Sequence, residues 1–128
     1  MKRARYAATL RRQRAQRRGR LAEWLCLWHL RLHGWRIIAR GWRCPSGEID
    51  LLAQRRGVLA VIEVKSRRGF DTAASALLPR QRRRIARATE AFLSSRPDLA
   101  GLVLRFDLML VAPFRWPRHW PGAWRADS

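Results

Sequence analysis

Acidic residues are scarce in this chain: nine Asp and Glu stand against 28 Lys and Arg, a formal net charge of +19 over 128 residues. A surplus of that size disfavours basic partners and points to a polyanion, most simply nucleic acid, with an anionic membrane surface as the competing reading. Long apolar runs are also missing. None reaches the ~20 residues needed to cross a bilayer. Cysteine is limited to Cys26 and Cys44, too few for a disulfide framework, so both are expected as reduced thiols in a cytoplasmic protein. The first residues, Met1-Lys2-Arg3-Ala4-Arg5-Tyr6, lack the apolar core and cleavage site of a secretory signal, and no Ser occurs in the first 40 residues, unlike a transit peptide. No P-loop, Gly-rich dinucleotide fingerprint or Ser-His-Asp set is present.

What remains is enough for one core. Hydrophobic residues make up 48% of the chain, which suits a single compact domain of this length. Three segments follow: a basic N-terminal arm at 1–19, a folded domain at 20–112, and a Pro/Trp-rich tail at 113–128. The arm carries eight basic residues and no acid, and is expected to be frayed or loosely helical unless it meets a phosphate backbone. A solvated basic tail is the plainer alternative.

From Arg20 the pattern is helical. Leu21, Leu25, Trp28 and Leu32 recur at i, i+4, i+7 and i+11, with Leu27 and Leu30 widening the apolar face, and Gly34 supplies a stop. Strands are expected at about Trp35–Arg40, Glu48–Gln54 and Val58–Lys65, with a turn at Cys44-Pro45-Ser46-Gly47. A polar loop, Ser66 to Ala76, precedes a helix from Pro79 to about Ser94 whose inward stripe is Ile85, Ala88, Thr89 and Phe92. Gln81 lies one turn earlier on that stripe, while Arg82, Arg83 and Arg87 project elsewhere. Leu102 to Val111 reads as a buried strand. The order helix, three strands, helix, strand predicts a small α/β domain with a mixed sheet. In the tail, Pro117 and Pro121 oppose a regular helix, and Trp116, Trp120 and Trp124 are expected to pack back on the domain; a partner-docking surface is the alternative.

The chemistry concentrates where the scarce acids meet strand-like sequence: Glu48 and Asp50 in one strand, Glu63 and Lys65 in the next. A two-residue turn at Arg56-Gly57 pairs Arg55 with Val58 and therefore sets Asp50 opposite Glu63, with Cβ atoms ~5 Å apart. Lys65 shares that face, and Glu48 then lies opposite Lys65. A turn displaced by one residue would pair Glu48 with Glu63 instead. Facing carboxylates repel unless a cation lies between them, and Mg²⁺ takes a few carboxylate oxygens, a backbone carbonyl and waters. Asp50, Glu63 and the Val64 carbonyl can supply the protein's share, and Lys65 can orient or deprotonate a water or hold a phosphate oxygen. A cross-strand ion-pair network without metal is the structural alternative.

The motifs Gly47-Glu48-Ile49-Asp50-Leu51-Leu52, Val61-Ile62-Glu63-Val64-Lys65-Ser66-Arg67, Pro79-Arg80-Gln81-Arg82-Arg83-Arg84 and Arg105-Phe106-Asp107, in this order and with these gaps, closely resemble the YraN-like family of uncharacterised bacterial proteins, over about residues 19 to 112. That family is similar to the PD-(D/E)xK, restriction-endonuclease-like superfamily and to Holliday-junction resolvases. The resemblance implies an αβββαβ core with a mixed central sheet flanked by helices. It implies an endonuclease-like function using Mg²⁺ or Mn²⁺ on DNA, branched or single-stranded, with Asp50, Glu63 and Lys65 as its Asp, Glu and Lys. It further implies that Glu23 helps hold the metal and that Gln81 is the polar residue of the second helix, positioning substrate or water. Glu23 stands out independently as the only acid before Glu48; an ion pair with a neighbouring Arg is its alternative role.

Arg80, Arg82, Arg83, Arg84 and Arg87, with Arg67, are the candidate phosphate contacts; a solvated charge run is the alternative. A junction-type substrate would favour a homodimer. His29 and His33, at i and i+4, lack a third ligand and read as helix-surface residues, and His119 is isolated in the tail. Asp107 is expected to pair with a buried Arg. A module that keeps the nuclease fold and binds nucleic acid without chemistry is the competing function.

Overall fold

The computed structural model describes residues 2–66 and 77–125, without the side chains of 7–19. The chain runs α1 (Lys2–Leu32), β1 (Arg36–Cys44), β2 (Gly47–Arg55), β3 (Val58–Ser66), α2 (Pro79–Ser94), a 3-10 turn (Pro97–Leu99), β4 (Val103–Val111) and β5 (Arg118–Trp124). The five strands form one mixed sheet in the order β1-β2-β3-β4-β5. The expected α/β architecture and its αβββαβ order are present, with a strand added at the end. Among the described residues no helix is long and apolar enough to cross a membrane.

Local chemistry explains the hairpins. Between β2 and β3, Arg56 (φ 49°) and Gly57 (φ 79°) both take the left-handed conformation that a two-residue primed turn demands. Arg55 therefore pairs with Val58, and the register runs back to Leu51 opposite Ile62. Strands β3 and β4 are parallel, joined by the crossover that contains α2. Pro79 opens α2, whose buried stripe is Ile85, Ala88, Thr89 and Phe92, the residues its periodicity predicts.

Each face of the sheet buries its own cluster. Leu52, Leu59, Val61, Phe106 and Leu108 pack under α2 with Ile85 and Phe92. Leu51, Ala53, Ile62 and Met109 pack under α1 with Cys26 and Leu30. Both sides of β3 are covered, which is why its sequence is nearly continuous apolar residues rather than alternating ones.

Two expectations are corrected. The first helix does not begin near Arg20 but runs back through the basic arm to Lys2. Its expected stripe is also turned outward: Leu21, Leu25, Trp28 and Leu32 are exposed, and the buried face is Ala22, Cys26, Leu27 and Leu30. Residues 21–32 are apolar nearly all round, so spacing alone cannot choose between faces. Glu23 could have chosen: Cys26, Leu27 and Leu30 follow it at i+3, i+4 and i+7.

The tail supplies β5, antiparallel to β4. Pro121 is tolerated because β5 is an edge strand whose register shifts between Trp120 and Trp124. Trp124 is buried and stacks on Phe106, Trp120 is half-buried, and Trp116 stays in solvent. The expected inward packing of the three rings thus holds for two.

Candidate functional site

Asp50 sits where regularity ends. Gly47 and Ile49 face α2, as does Leu52, but Leu51 faces α1, so the alternation skips a position around Asp50. Pairing with β3 also stops at Leu51, while β2 remains paired with β1 as far as Gly47. Beyond that point the Val64 amide donates to Oδ2 of Asp50 at 2.9 Å. A side-chain carboxylate takes up an amide at the point where the two strands part.

Asp50 and Glu63 come next after the last paired residues, Leu51 and Ile62, and their carboxyls lie close enough to shift each other's titration. The Lys65 Nζ lies 3.6 Å from Oε1 of Glu63, both side chains only about 15% exposed. Burial, and then the charge of Asp50, push the Glu63 carboxyl up to about 8. Burial likewise raises Asp50, against the Val64 amide and the Glu63 carboxyl, which lower it. Two carboxyls this close in a half-dry site favour keeping a proton on one of them.

Glu23 approaches from α1. Its carboxyl is pushed up to about 7 by burial and then by the charges of Asp50 and Glu48, which places it within electrostatic reach of both. Glu48 is instead bonded to Arg43, Nε to Oε1 at 3.3 Å, and its expected position opposite Lys65 lies beyond the paired part of the ladder. From the other side α2 closes a cavity of about 230 Å³ lined by Glu48, Asp50, Glu63, Gln81, Arg84 and Ile85. Gly47 makes that closeness possible: a Cβ there would lie 2.7 Å from the Arg84 carbonyl oxygen. Gln81 reaches the cavity as expected, with Oε1 accepting from the Leu78 amide at 3.2 Å.

Asp50, Glu63, Lys65, Glu23 and Gln81 are therefore brought together, around the backbone of Val64. Among the described residues, no three His, Cys, Asp or Glu side chains are grouped so that they could hold a metal ion. The acidic pair with open space beside it suits a cation that keeps most of its waters. Of the candidate phosphate contacts, Arg80, Arg83, Arg84 and Arg87 are exposed. Arg82 is half-buried, its Nε without a hydrogen-bond partner among the described residues, so it is not a free surface charge. Arg67 lies outside the described residues, with most of the predicted 66–76 loop.

A second polar cluster was only partly legible. Asp107 is fully buried and accepts from Arg105 through Nε and a terminal nitrogen, both at 2.8 Å; the expected Arg partner is present but half-buried rather than buried. It also accepts from His119 Nε2 at 2.7 Å and the Gly122 amide at 2.9 Å, so His119 is not isolated. Burial pushes Asp107 up, but the bonds from His119, Arg105 and Gly122 outweigh it and hold the carboxyl below its usual range. This network ties β5 to β4. His29 and His33 stack on each other, with His29 half-buried rather than on the surface.

Comparison with known proteins agrees with this architecture's origin in one family. Residues 22–111 match the model of "Uncharacterised protein family UPF0102". A UPF0102 protein of Paramagnetospirillum magneticum is 51% identical over 119 residues, 90% of this chain and 92% of that protein. One from Parvibaculum lavamentivorans is 52% identical over 111 residues, 87% of this chain and 84% of its own length. The matched span contains the acidic pair, Lys65, α2 and the Arg105-Phe106-Asp107 segment, and the chain belongs to the UPF0102 family.

Proposed function

We propose that the Asp50–Glu63–Lys65 cluster is the centre of a metal-dependent endonuclease of the PD-(D/E)xK kind, hydrolysing phosphodiesters in nucleic acid, most simply DNA. One observation carries the reading: two half-buried carboxyls beside one cavity, with an amine 3.6 Å from one of them. Left alone, such a pair must keep a proton to avoid repulsion; a divalent cation removes that need. The donor set fits a hard ion, because every candidate ligand is oxygen: Asp50, Glu63, the Val64 carbonyl and, from α1, Glu23. When bound there, Mg²⁺ or Mn²⁺ would supply a more acidic water and offset charge on the phosphate.

The chain's own groups divide the remaining work. Lys65 orients the attacking water and holds its proton, or steadies a non-bridging phosphate oxygen. Gln81, whose Oε1 is engaged by the Leu78 amide, keeps its amide nitrogen as a donor toward substrate or water. Arg84 stands in the wall of the acidic cavity and Arg80, Arg83 and Arg87 are exposed on the same helix, where they neutralise neighbouring phosphates. The cytoplasm is part of the same proposal, in keeping with the unpaired thiols Cys26 and Cys44.

The test is incubation with nicked, forked and four-way DNA in Mn²⁺, wild type beside Glu63→Ala. Cleavage that disappears in the variant supports the proposal. Salt-sensitive binding that EDTA leaves untouched, with no cleavage in any metal, would assign the fold to a non-catalytic binding module.

A further inference from the structure

On the α1 side of the sheet lies an apolar groove of about 550 Å³, bounded by Leu21 and Leu25 of α1, by Ser66 and Val111 at the ends of β3 and β4, and by the turn that carries Phe114 and Trp116. Its volume falls in the ~300–1,000 Å³ range of small-ligand sites. It opens beyond the carboxyl ends of the two parallel strands, the place where open α/β sheets bind ligands. Ser66 follows Lys65 directly, so the groove begins one residue from the proposed water-activating amine.

The turn itself is unusual. Phe114 is fully exposed and is held at φ 59°, a left-handed conformation that is costly for a bulky side chain. Trp116 is 78% exposed. Among the described residues, neither ring stacks on another ring or lies under a guanidinium, although Trp24, Trp28, Trp35 and Trp120 each do. Pro113 and Pro117 bracket the pair and restrict the backbone on both sides. Strain and exposure are thus spent to present two flat aromatic faces at the mouth of an apolar groove.

Resting on the nucleic-acid reading above, we infer that this groove receives an unpaired nucleobase, stacked against Phe114 and Trp116, of a strand whose backbone passes Lys65. Charge decides between occupants. A second copy of this chain would bring another +19 of the same sign to the groove, whereas a nucleotide brings a flat apolar base on an anionic backbone. Aromatic platforms beside a positively charged surface are the general device for holding single strands, tolerant of sequence because every base has a stacking face. The proposed substrate class is accordingly nucleic acid with unpaired bases near the scissile phosphate, rather than uninterrupted duplex.

The test compares binding of a fluorescent oligothymidylate and of a blunt duplex to wild type, to the double variant Phe114→Ala/Trp116→Ala, and to Trp116→Phe. Both rings are in solvent, so the substitutions leave the core intact. The double variant should lose oligothymidylate affinity on the order of tenfold per ring, bind duplex as the wild type does, and Trp116→Phe should restore most of the loss at that position. Equal oligothymidylate affinity in wild type and double variant would overturn the groove while leaving the nuclease reading standing. Binding of neither nucleic acid by the wild type would remove both readings. A wild-type dimer in sedimentation that the double substitution dissociates, with oligothymidylate affinity unchanged, would give the groove to a second copy and overturn the inference.

Discussion

The Val64 amide hydrogen-bonds Oδ2 of Asp50 at 2.9 Å at the point where β2 and β3 cease to pair. An amide at that position would ordinarily continue the ladder. Giving it to a carboxylate satisfies the backbone and fixes the Asp50 side chain, so the position of one oxygen is set by main chain rather than by a mobile partner. Glu63, the residue before Val64, inherits that fixed neighbour, and the pair is poised by the backbone itself.

That poise has a cost that depends on pH. Glu63 is raised to about 8 and Glu23 to about 7, in each case by burial first and neighbouring carboxylates second. The folded protein keeps protons that the unfolded chain releases above about pH 4.5, so stability is full below that value and falls as pH rises toward 8. Scanning calorimetry of metal-free protein should show Tm falling between about pH 5 and about pH 9, with a flatter profile for Glu63→Gln. An identical slope in the variant would mean that Glu63 titrates normally.

In the proposed nuclease, Lys65 separates chemistry from binding. Its Nζ contacts Glu63 but is not needed as a metal ligand. Lys65→Met should retain Mn²⁺ and DNA binding and lose cleavage by about 10²–10⁴-fold, the usual worth of a positioned proton-transfer group. Single-turnover cleavage beside anisotropy-based binding distinguishes this from loss of affinity.

The exposed arginines of α2 are expected to contribute through phosphates. Replacing Arg83 or Arg87 with Ala should lower the slope of log affinity against log salt by roughly one for each phosphate contact removed, with no change in sequence preference. An unchanged slope would place the contact surface elsewhere, with the helix charge simply solvated.

Gly47 tests the wall of the cavity. A Cβ at this position meets the Arg84 carbonyl oxygen at 2.7 Å, so Gly47→Ala must push α2 away from β2. The expected cost is about 1–3 kcal/mol in urea denaturation, in the range of overpacked sites. Gly101→Ala, where an added Cβ meets nothing within 4 Å, is the control and should be nearly neutral.

Much of this arrangement was legible in the sequence because short-range rules determine it. Arg56-Gly57 dictates a primed turn, the turn dictates the register, and the register brings Asp50 to Glu63. Pro79 and the Ile85–Phe92 spacing fix α2 in the same local way. The orientation of α1 was not legible from periodicity, since apolar residues surround it; the lone acid Glu23, not the spacing, marks the face turned to the sheet. The fifth strand was missed because Pro121 reads as a breaker, and what stabilises it there is distant in sequence: Asp107, reached by His119 and the Gly122 amide.

Titration of Mn²⁺ into the protein near neutral pH, followed by calorimetry in buffers of different ionisation heat, tests the central claim most directly. The account predicts binding of an ion to the wild type with release of the proton kept on Asp50 or Glu63, and loss of both the heat and the proton release in Asp50→Asn. Binding that is equal in the variant, or no binding by the wild type, would contradict it.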